Sequence, residues 1–575
     1  MQSKNIDVTR ILINIDSSIE ELLTVLNKQV NPNFGSGFAI VVNKDKHIIG
    51  IVQDSDLRKY LLKRPNDDLK ISDFVRRDFI SVNSTLNSSE MINSIINQMN
   101  LRNKWKTFLP VKIIPIIENN TPIGLIDVQE LKQALTLRNS QLVVFGMGYV
   151  GLTLTLAFAQ LGKPIYGYDI DPKKVENLRS GNSHIFEVGI EKILKSKIGK
   201  NLFIDDNLSF LNKDFGIQRI FIICTGSPIK EDGSADLQQI ESSVEKILEV
   251  IKPLDTIIMR STVPVGTGAK IIDTISNTFG WNVGTDFHYV SAPERTVEGN
   301  ALAELRELPQ IIAGATEDCL VLGSRIFREI SNSVISLEKI EAAEMTKLMG
   351  NAFRDYIFGF ANHMIEIAKR YNLDLNELIK ASNHAYPRSM IPQPSPGVGG
   401  PCLTKDSFLL YESVSDQSDS PILAARRTNL NTPSKMVNFI QSKILNLNNF
   451  NCLAIGVTFK GYPETNDIRN STPIEFIDIL RDKVNSIITW DAMLSESQLE
   501  ALNLGKSSDF NMFAILNNNI KNKDYFFDKF SRTSFQEIVI VDPWRLLNYE
   551  SLTIESFVKT IHYFSLSHYK VLKAN

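Results

Sequence analysis

A short loop carries a candidate nucleophile. Residues 394–406 read Pro-Ser-Pro-Gly-Val-Gly-Gly-Pro-Cys-Leu-Thr-Lys-Asp, and so much glycine and proline excludes a helix or an inner strand. The glycines let the backbone approach a ligand or another segment closely. Cys402 follows them, and Lys405 and Asp406 come soon after, so a thiol stands near a cation and a carboxylate. This stretch alone fits two interpretations, a surface turn with an incidental cysteine or a nucleophile on a rigid loop.

A glycine motif upstream indicates a dinucleotide site. Residues 146–151 read Gly-Met-Gly-Tyr-Val-Gly between an apolar strand run at 142–145 and an apolar helix at 152–161. The next predicted strand, 165–168, ends in Asp169, close to the offset of about 20 residues at which a ribose-binding acid is expected. The pyrophosphate would lie at the helix N-terminus. Because Asp169 can accept hydrogen bonds from a ribose diol and would repel a 2′-phosphate, the motif favours NAD over NADP.

Polar side chains follow two later strands of the same predicted sheet. Thr262 comes after the strand 256–259, and Glu294 and Glu298 come after the strand 288–291. Ligands of open α/β sheets bind at the carboxyl ends of the strands. These three side chains are therefore candidates for the same site.

One long, largely apolar helix is predicted over 339–371, as expected for a buried spine. Lys347, Asn351, Arg354 and Asn362 recur at helical spacing on one side of it. They form either a solvated stripe or the wall of a site, and the small apolar residues around them favour the wall.

A second, smaller parallel α/β domain is predicted after the helix. Its strands, at 452–457, 486–490 and 537–541, alternate with helical segments, and it has no glycine fingerprint. Lys460 and Arg469 follow the first of these strands and could bind an anionic group.

The first 137 residues contain a weak internal repeat. Segments 38–57 and 113–131 each read as a strand, a polar turn, a second strand and an acidic helix entry. Helical segments at 18–27 and 87–99 precede the two copies, which predicts a paired module.

This repeat resembles a tandem pair of cystathionine-β-synthase-type (CBS) domains over residues 8–135. Such domains commonly bind adenine nucleotides and regulate an attached enzyme. Gln53 and Asp127 stand where the family usually has Thr or Ser. A structural or dimerising role is the alternative.

Size and composition bound the functions that the chain can have. A length of 575 residues predicts three or four domains. A net charge of -3 argues against nucleic-acid and membrane-surface binding, and no apolar run reaches the ~18 residues of a membrane span. The four cysteines, at 224, 319, 402 and 452, lack metal-ligand spacing. We therefore expect a cytoplasmic protein with free thiols and no metal.

Taken together, the motifs of residues 140–545 resemble the UDP-sugar 6-dehydrogenase family, which includes UDP-glucose and UDP-N-acetylmannosamine dehydrogenases. The matching residues are Gly146-x-Gly148-x-x-Gly151, Ser261-Thr-Val-Pro-x-Gly-Thr267, Pro293-Glu294 with Glu298-Gly299, Lys347 with Asn351, Gly399-Gly-x-Cys402-x-x-x-Asp406, and Lys460 with Asp467-x-Arg469.

The resemblance implies an α/β fold with two Rossmann-like parallel-sheet domains joined by a long central helix, preceded by the α+β tandem CBS-type module. The expected domains are the regulatory module at 1–137, the NAD-binding domain at 138–336, the central helical domain with the cysteine loop at 337–434, and the UDP-binding domain at 435–575.

The reaction that the resemblance implies is an NAD-dependent, four-electron oxidation of the C6 hydroxyl of a UDP-sugar to a uronic acid. Cys402 would capture the aldehyde as a thiohemiacetal, which is oxidised to a thioester and released by water. Lys347 and Asn351 would stabilise the oxyanion. Glu294 and Thr262 would position and activate water.

The remaining roles also come from the resemblance. Asp406 would orient the cysteine loop. Cofactor binding is assigned to Gly146, Gly148, Tyr149, Val150, Gly151, Asp169, Lys174, Thr225, Thr262, Glu298 and Arg469. Substrate binding is assigned to Glu294, Arg295, Lys347, Asn351, Arg354, Gly399 and Lys460.

Several alternatives stay open at this point. Arg295 after Glu294 favours a UDP-N-acetylhexosamine of the N-acetylmannosamine or N-acetylglucosamine type, with UDP-glucose as the alternative. A two-electron oxidoreductase and an inactive nucleotide-sensing protein are the rival functions. Pro401 stands where the family usually has His. A homodimer or higher homo-oligomer is expected.

Overall fold

The structure, a computed structural model, describes residues 8–27, 37–63, 69–86, 94, 98, 113–127, 140–212, 218–412, 414, 419–548, 552 and 558–573. Contacts between Cα atoms divide the chain into two units. The first contains residues 1–139, 307–310 and 324–336, and the second contains 140–306, 311–323 and 337–575.

The first unit contains two small sheets with the same topology. Its strands are β1 Leu12–Asn14, β2 Phe38–Val42, β3 Ile48–Gln53, β4 Val82–Asn83, β5 Ile113–Glu118 and β6 Thr121–Asp127, and its described α-helices are α1 Ile19–Asn27 and α2 Asp54–Lys63. In each sheet a short strand runs parallel to the first strand of an antiparallel hairpin, in the orders β1-β2-β3 and β4-β5-β6.

The two hairpins match in detail. Gly50 pairs with Val41 and Gly124 pairs with Ile116, and each hairpin shifts register directly after that pair. A Cβ at Gly50 would lie 2.3 Å from the carbonyl oxygen of Arg76, so that position requires glycine. The described residues thus contain the repeat that the sequence predicts. The predicted helix at 87–99, apart from positions 94 and 98, lies outside them, as do residues 128–131 of the second copy.

Residues 140 to 337 form a series of strands, most of them separated by helices. The strands are β7 Ser140–Phe145, β8 Ile165–Tyr168, β9 Leu202–Asp205, β10 Gln218–Ile223, β11 Thr256–Met259, β12 His288–Ser291, β13 Gln310–Gly314 and β14 Val334–Leu337. The helices are α3 Tyr149–Gln160, α4 Pro172–Arg179, α5 Ile190–Lys197, α6 Gln238–Leu248, α7 Thr267–Phe279, α8 Ala301–Glu307 and α9 Glu317–Arg328.

Seven of these strands lie in the order β13-β12-β11-β10-β7-β8-β9. They run parallel except β13, which is antiparallel to β12. The chain leaves β7 toward β8 on one side and later returns to β10 on the other. That reversal opens a crevice at the carboxyl ends of β7 and β10, where ligands of such sheets bind.

The central helix, α10, spans Ile340–Arg370 and packs against two helices of the same region. Those helices are α12 Leu403–Tyr411 and α13 Pro421–Lys443, and α11 Leu375–Asn383 lies between them and α10 in sequence. Gly359 permits the close crossing, because a Cβ there would lie 2.5 Å from the Cβ of Ala425 on α13. The expectation of a spine buried all round is wrong for one face, since six large apolar side chains of α10 are between 38% and 60% exposed: Met345, Met349, Phe353, Tyr356, Phe360 and Ile367.

A fully buried ion pair joins these helices. Nη1 of Arg426 on α13 donates to Oδ1 of Asp355 on α10 at 2.8 Å, and both side chains are completely buried. Arg426 also donates to the carbonyls of Val398 and Leu403, on either side of Cys402. The pair therefore holds the cysteine loop as well as the helices.

We expect Arg426→Met to lower the free energy of unfolding by about 3 to 5 kcal/mol, because the Asp355 carboxylate would remain buried without its cation. Urea denaturation followed by intrinsic fluorescence measures the change. The double variant Asp355→Leu/Arg426→Met removes both charges and should recover much of the loss. A single variant as stable as the wild type would contradict this account.

The C-terminal part forms a second α/β sheet. Its strands are β15 Asn451–Ile455, β16 Ser486–Trp490, β17 Met512–Ile515, β18 Glu537–Val541, β19 Thr560–Phe564 and β20 Tyr569–Lys573, and its α-helices are α14 Thr472–Arg481, α15 Glu496–Glu500 and α16 Lys521–Phe530. The order is β16-β15-β17-β18-β19-β20, and every pair is parallel except the last. The predicted second parallel-sheet domain is thus confirmed. No helix among the described residues is long and apolar enough to cross a bilayer.

Candidate active site

A cavity of about 1730 Å³ lies at the crevice of the first sheet, and residues from five parts of the second unit line it. It brings together the glycine motif, the ends of β11 and β12, the central helix, the cysteine loop and the C-terminal domain. The predicted site residues in its wall are Gly146, Gly148, Tyr149, Val150, Asp169, Lys174, Thr225, Thr262, Glu294, Glu298, Lys347, Cys402 and Arg469.

The glycine motif forms the tight turn between β7 and α3. Gly146 has a φ of +87°, and a Cβ on Gly151 would lie 1.8 Å from the carbonyl oxygen of Gly146. A Cβ on Gly148, at the N-cap of α3, would meet no atom within 4 Å. The helix N-terminus therefore opens onto free space, and this cradle fits the pyrophosphate of a dinucleotide.

Asp169 is held in place at the end of β8. Its carboxylate accepts hydrogen bonds from the backbone N–H of Met147 at 2.7 Å and of Asp171 at 3.1 Å. Lys174 Nζ lies 2.9 Å from Oδ2 and 3.0 Å from Oδ1 of the same carboxylate. Lys174 thus neutralises the acid that the sequence predicts to meet the cofactor ribose.

Tyr149 anchors a neighbouring segment. Its hydroxyl donates to Glu187 and accepts from the backbone N–H of Gly299, at 2.7 Å in the second case. Glu187 also accepts from Gly299 and from Leu302. Glu187 lies in no recognisable motif, so no sequence signal predicts this role.

Glu294 is a buried carboxylate at the end of β12. Its Oε1 accepts from the backbone N–H groups of Arg295 and Thr296 at 2.6 and 2.8 Å, and its Oε2 pairs with the guanidinium of Arg260. Burial alone would raise the pKa of Glu294, but Arg260, the two N–H donors and Lys347 together bring that pKa below its ordinary value. Glu294 is therefore ionised at neutral pH.

Sequence reasoning missed Arg260, although a signal existed. It is the residue directly after β11, and β11 is the neighbour of β12 in the sheet. A cation at the end of one strand can pair with a carboxylate at the end of the adjacent strand.

Cys402 is the N-cap residue of α12 and is exposed to the cavity, whereas the other three cysteines are buried. The surrounding protein desolvates the thiol and raises its pKa; Lys347 and Lys405 oppose that rise, and Asp406 adds to it. The thiol is therefore protonated at neutral pH in this state.

Asp406 connects the cysteine loop to the central helix. Its Oδ2 accepts from Nδ2 of Asn351 at 2.6 Å, and its Oδ1 accepts from Lys405 Nζ at 2.9 Å. Lys405 also donates to the hydroxyl of Ser227, whose hydroxyl in turn donates to the carbonyl of Thr262. Asn351 and Asp406 do not line the cavity; their hydrogen bond links α10 to the helix whose N-cap is Cys402.

Glu298 bridges the two sheets. Its carbonyl accepts from Lys460 Nζ at 2.7 Å, its carboxylate accepts from Thr465 at 3.3 Å, and Arg469 lies 3.5 Å from Oε1. Asp467 holds Arg469 through a forked pair. Burial, and after it the negative charge of Asp467, raises the pKa of Glu298 to about 7. The charges of Arg469 and Lys460 and the hydrogen bond from Thr465 lower that pKa and only partly oppose the rise.

We expect the thermal midpoint of the wild-type protein to fall as the pH rises from 5 to 8. A folded-state pKa of about 7 lies above the unfolded value of 4.5, so the contribution of Glu298 to stability is complete below the unfolded value and is lost as the pH rises toward the folded value. Glu344, whose pKa burial also raises to about 7, acts in the same direction. Glu298→Gln should therefore remove part of the slope, which scanning calorimetry measures. An identical slope in the variant would contradict the assignment.

Five predicted substrate residues do not line the cavity: Arg295, Asn351, Arg354, Gly399 and Lys460. Arg354 is exposed on α10. Gly399 lies against the C-terminal domain, because a Cβ there would come within 2.4 Å of the carbonyl oxygen of Asn470. Asn362 donates to Asn429 and accepts from the N–H of Ser395, so it anchors the loop.

The described residues contain no group of three His, Cys, Asp or Glu side chains that could hold a metal ion. The site combines a dinucleotide cradle, an exposed thiol, a buried carboxylate and a half-buried lysine, and these groups suit oxidation of an alcohol with covalent capture of an aldehyde.

Comparisons with known families match most of this region. The NAD-binding domain of the UDP-glucose/GDP-mannose dehydrogenase family matches residues 140–331, and the central domain of that family matches 341–432. A CBS domain matches residues 5–63.

Individual relatives agree with the family match. The UDP-N-acetyl-D-mannosamine dehydrogenase of Pyrococcus horikoshii is 33% identical over 357 residues, which is 61% of this chain and 83% of the relative. The solved structure of UDP-D-ManNAc dehydrogenase from Pyrococcus horikoshii has a TM-score of 0.63 at 26% identity and covers 74% of this chain and 99% of that one. The UDP-N-acetyl-mannosamine dehydrogenase Cap5O from Staphylococcus aureus has a TM-score of 0.62 at 26% identity, over 74% of this chain and 98% of that one.

Proposed function

Since the chain belongs to the UDP-glucose/GDP-mannose dehydrogenase family, we propose that it oxidises the C6 hydroxyl of a UDP-N-acetylhexosamine of the N-acetylmannosamine type to the carboxylate. It is an NAD-dependent UDP-sugar dehydrogenase. The observation that carries the proposed oxidation to the carboxylate is that one cavity joins the dinucleotide cradle to Cys402 and Lys347.

The glycine cradle at the start of α3, with Asp169, would hold NAD, which accepts the hydride in each of the two oxidations. Thr225, Glu298 and Arg469 also line the cavity. Because Asp169, at the end of β8, can accept hydrogen bonds from a ribose diol, this site suits a cofactor without a 2′-phosphate.

Cys402 makes the second oxidation accessible. Its sulfur attacks the aldehyde carbon, and the thiol proton moves to the aldehyde oxygen, which gives a thiohemiacetal. Loss of a hydride from that carbon, and of the hydroxyl proton, leaves a thioester. Water then attacks the thioester carbon, the C–S bond breaks, and the carboxylate product and the Cys402 thiol are formed.

Lys347 places a positive charge beside the sulfur and the carbon that it attacks. Its charge lowers the pKa of Cys402 and of Glu294, so it acts on both groups. It would stabilise the oxygen anion that develops during capture and hydrolysis. Glu294, ionised and fixed by Arg260, would orient the attacking water together with Thr262.

The sugar specificity rests on the relatives and on one residue. The matching proteins of Pyrococcus horikoshii and of Escherichia coli strain K12 are both named UDP-N-acetyl-D-mannosamine dehydrogenase. Arg295 follows Glu294 directly; it is exposed and does not line the cavity, and its backbone N–H donates to Oε1 of Glu294.

A panel of UDP-N-acetylmannosamine, UDP-N-acetylglucosamine and UDP-glucose, each with NAD, tests the proposal. We expect the highest kcat/KM for UDP-N-acetylmannosamine, measured from NADH absorbance, with the uronate identified by mass. A higher kcat/KM for UDP-glucose would change the proposed substrate but not the proposed reaction. No turnover with any UDP-sugar would contradict the function.

We propose that residues 1–137 form a regulatory module that binds an adenine nucleotide, and that the domains then run 138–336, 337–434 and 435–575. The repeated sheet topology and the CBS match over 5–63 support this. Calorimetric titration with AMP and ATP measures binding. A chain without residues 1–137 should keep its basal turnover, because every residue assigned to the reaction follows residue 140.

We also propose that two copies pair through the exposed apolar face of α10. Six large apolar side chains recur at helical spacing along it. A two-fold axis would bring the same face of each copy together. Light scattering measures the mass of the Phe353→Glu variant in solution. We expect a monomer, and a dimer would contradict the proposal.

A further inference from the structure

Glu344 is a buried carboxylate of α10 that the steps above do not use. Its Oε2 accepts from the N–H of Gly266 at 2.7 Å, and its Oε1 accepts from the N–H of Gly268 at 2.8 Å. The residue is 2% exposed. Gly266 is the N-cap of α7 and Gly268 lies in its first turn. A carboxylate suits this position, because the first N–H groups of a helix lack partners within the helix and its dipole favours negative charge.

The carboxylate holds the turn that carries Thr262. The turn begins at the end of β11, where the hydroxyl of Ser261 donates to the carbonyl of Thr225 at 2.6 Å. It ends at Gly266, which has a φ of +91°. Glu344 therefore fixes the far end of this turn to the central helix.

The same helix face carries Lys347 one turn later and Asn351 one turn after that. Residues at this spacing are neighbours on a helix surface. Asn351 fixes the cysteine loop through Asp406, and Lys347 lines the cavity between the two anchors. One helix thus sets the position of both walls that meet at the reacting carbon.

We propose that Glu344 is a positioning residue that holds Thr262 in register with Lys347 during oxidation of the UDP-sugar. The inference rests on the proposed function. This positioning role needs both carboxylate oxygens of Glu344, because each of them accepts a hydrogen bond from one backbone N–H. Little room exists for rearrangement, since a Cβ on Gly268 would lie 3.0 Å from Oε1 of Glu344 and 2.9 Å from the hydroxyl of Tyr289.

Glu344→Gln in the full-length chain tests this. The glutamine keeps the shape but turns one acceptor into a donor that faces an N–H, so one bond is lost. We expect kcat with UDP-N-acetylmannosamine to fall about tenfold per folded molecule, with KM for NAD within about twofold, because displacing a reacting group affects the chemical step. Glu366→Gln, which removes an exposed carboxylate from the same helix, is the control and should leave both constants unchanged.

Amide hydrogen exchange of the peptide 261–270 provides a second measurement that does not depend on turnover. It should speed up about tenfold in Glu344→Gln and stay unchanged in Glu366→Gln, since an amide that loses its acceptor exchanges from a more open turn. A kcat within twofold of the wild type, a decrease that matches the loss of folded protein, or unchanged exchange would each overturn the proposal. If the wild type itself fails to oxidise any UDP-sugar, the proposed function fails, and the exchange rates alone then decide whether Glu344 holds the turn.

Discussion

Cys402→Ser is expected to abolish formation of the uronate, with kcat lowered by at least about 1000-fold, while NAD affinity stays within about twofold. Serine has a far less acidic side chain than cysteine, so it captures the aldehyde poorly and gives no thioester. The cofactor cradle is built by other elements, β7, α3 and β8, and does not depend on the thiol. Steady-state turnover and a fluorescence titration with NAD measure the two quantities.

Alkylation supplies the control for this variant. Cys402 is the exposed cysteine and Cys224, Cys319 and Cys452 are buried. Iodoacetamide should therefore modify the wild-type protein at Cys402 and inactivate it, and should leave the folded serine variant unlabelled. Uronate formation by the serine variant at more than a tenth of the wild-type rate would contradict the role of Cys402 as nucleophile.

Lys347→Met is expected to lower kcat about 100-fold, which is the size of effect found when a donor to a developing oxyanion is removed. Methionine keeps the length and apolar stem of the side chain and removes only the charge. The variant should also slow alkylation of Cys402 at neutral pH, because the Lys347 charge lowers the pKa of that thiol. Turnover and the rate of iodoacetamide labelling are the measurements.

Arg370→Met is the matched variant, since Arg370 is an exposed cation at the other end of α10. It should leave turnover and labelling unchanged. Equal losses in the two variants would mean that the charge of the helix, and not the position of Lys347, determines the rate.

Local patterns allowed much of the site to be predicted. The glycine motif, Asp169 and Cys402 follow from spacing over a few residues, because the tight turn, the helix N-terminus and the loop are each specified by adjacent side chains. Gly146, Gly148, Asp169 and Cys402 all line one cavity.

Contacts between distant segments could not be read in this way. Asn351 and Asp406 are 55 positions apart, and Asp355 and Arg426 are 71 apart. Which polar side chains meet depends on how helices pack, and the sequence of one helix does not encode that.

The burial of the central helix α10 was also predicted wrongly for one face, because two different environments produce the same apolar pattern in a helix. A helix that is apolar all round is typical of a protein core, but a helix covered by another copy of the chain has the same composition. The exposed apolar face of α10 is a feature that the composition of the helix does not reveal. Strand β17 was missed because the polar and aromatic residues around 500–535 mask four apolar residues.

The number of NADH molecules formed per UDP-sugar consumed tests the central claim most directly. With limiting UDP-N-acetylmannosamine and excess NAD, the reaction should end at two NADH per sugar, with the uronate as the sole sugar product. A final ratio of one, with the aldehyde released into solution, would contradict covalent capture by Cys402 and the four-electron oxidation that depends on it.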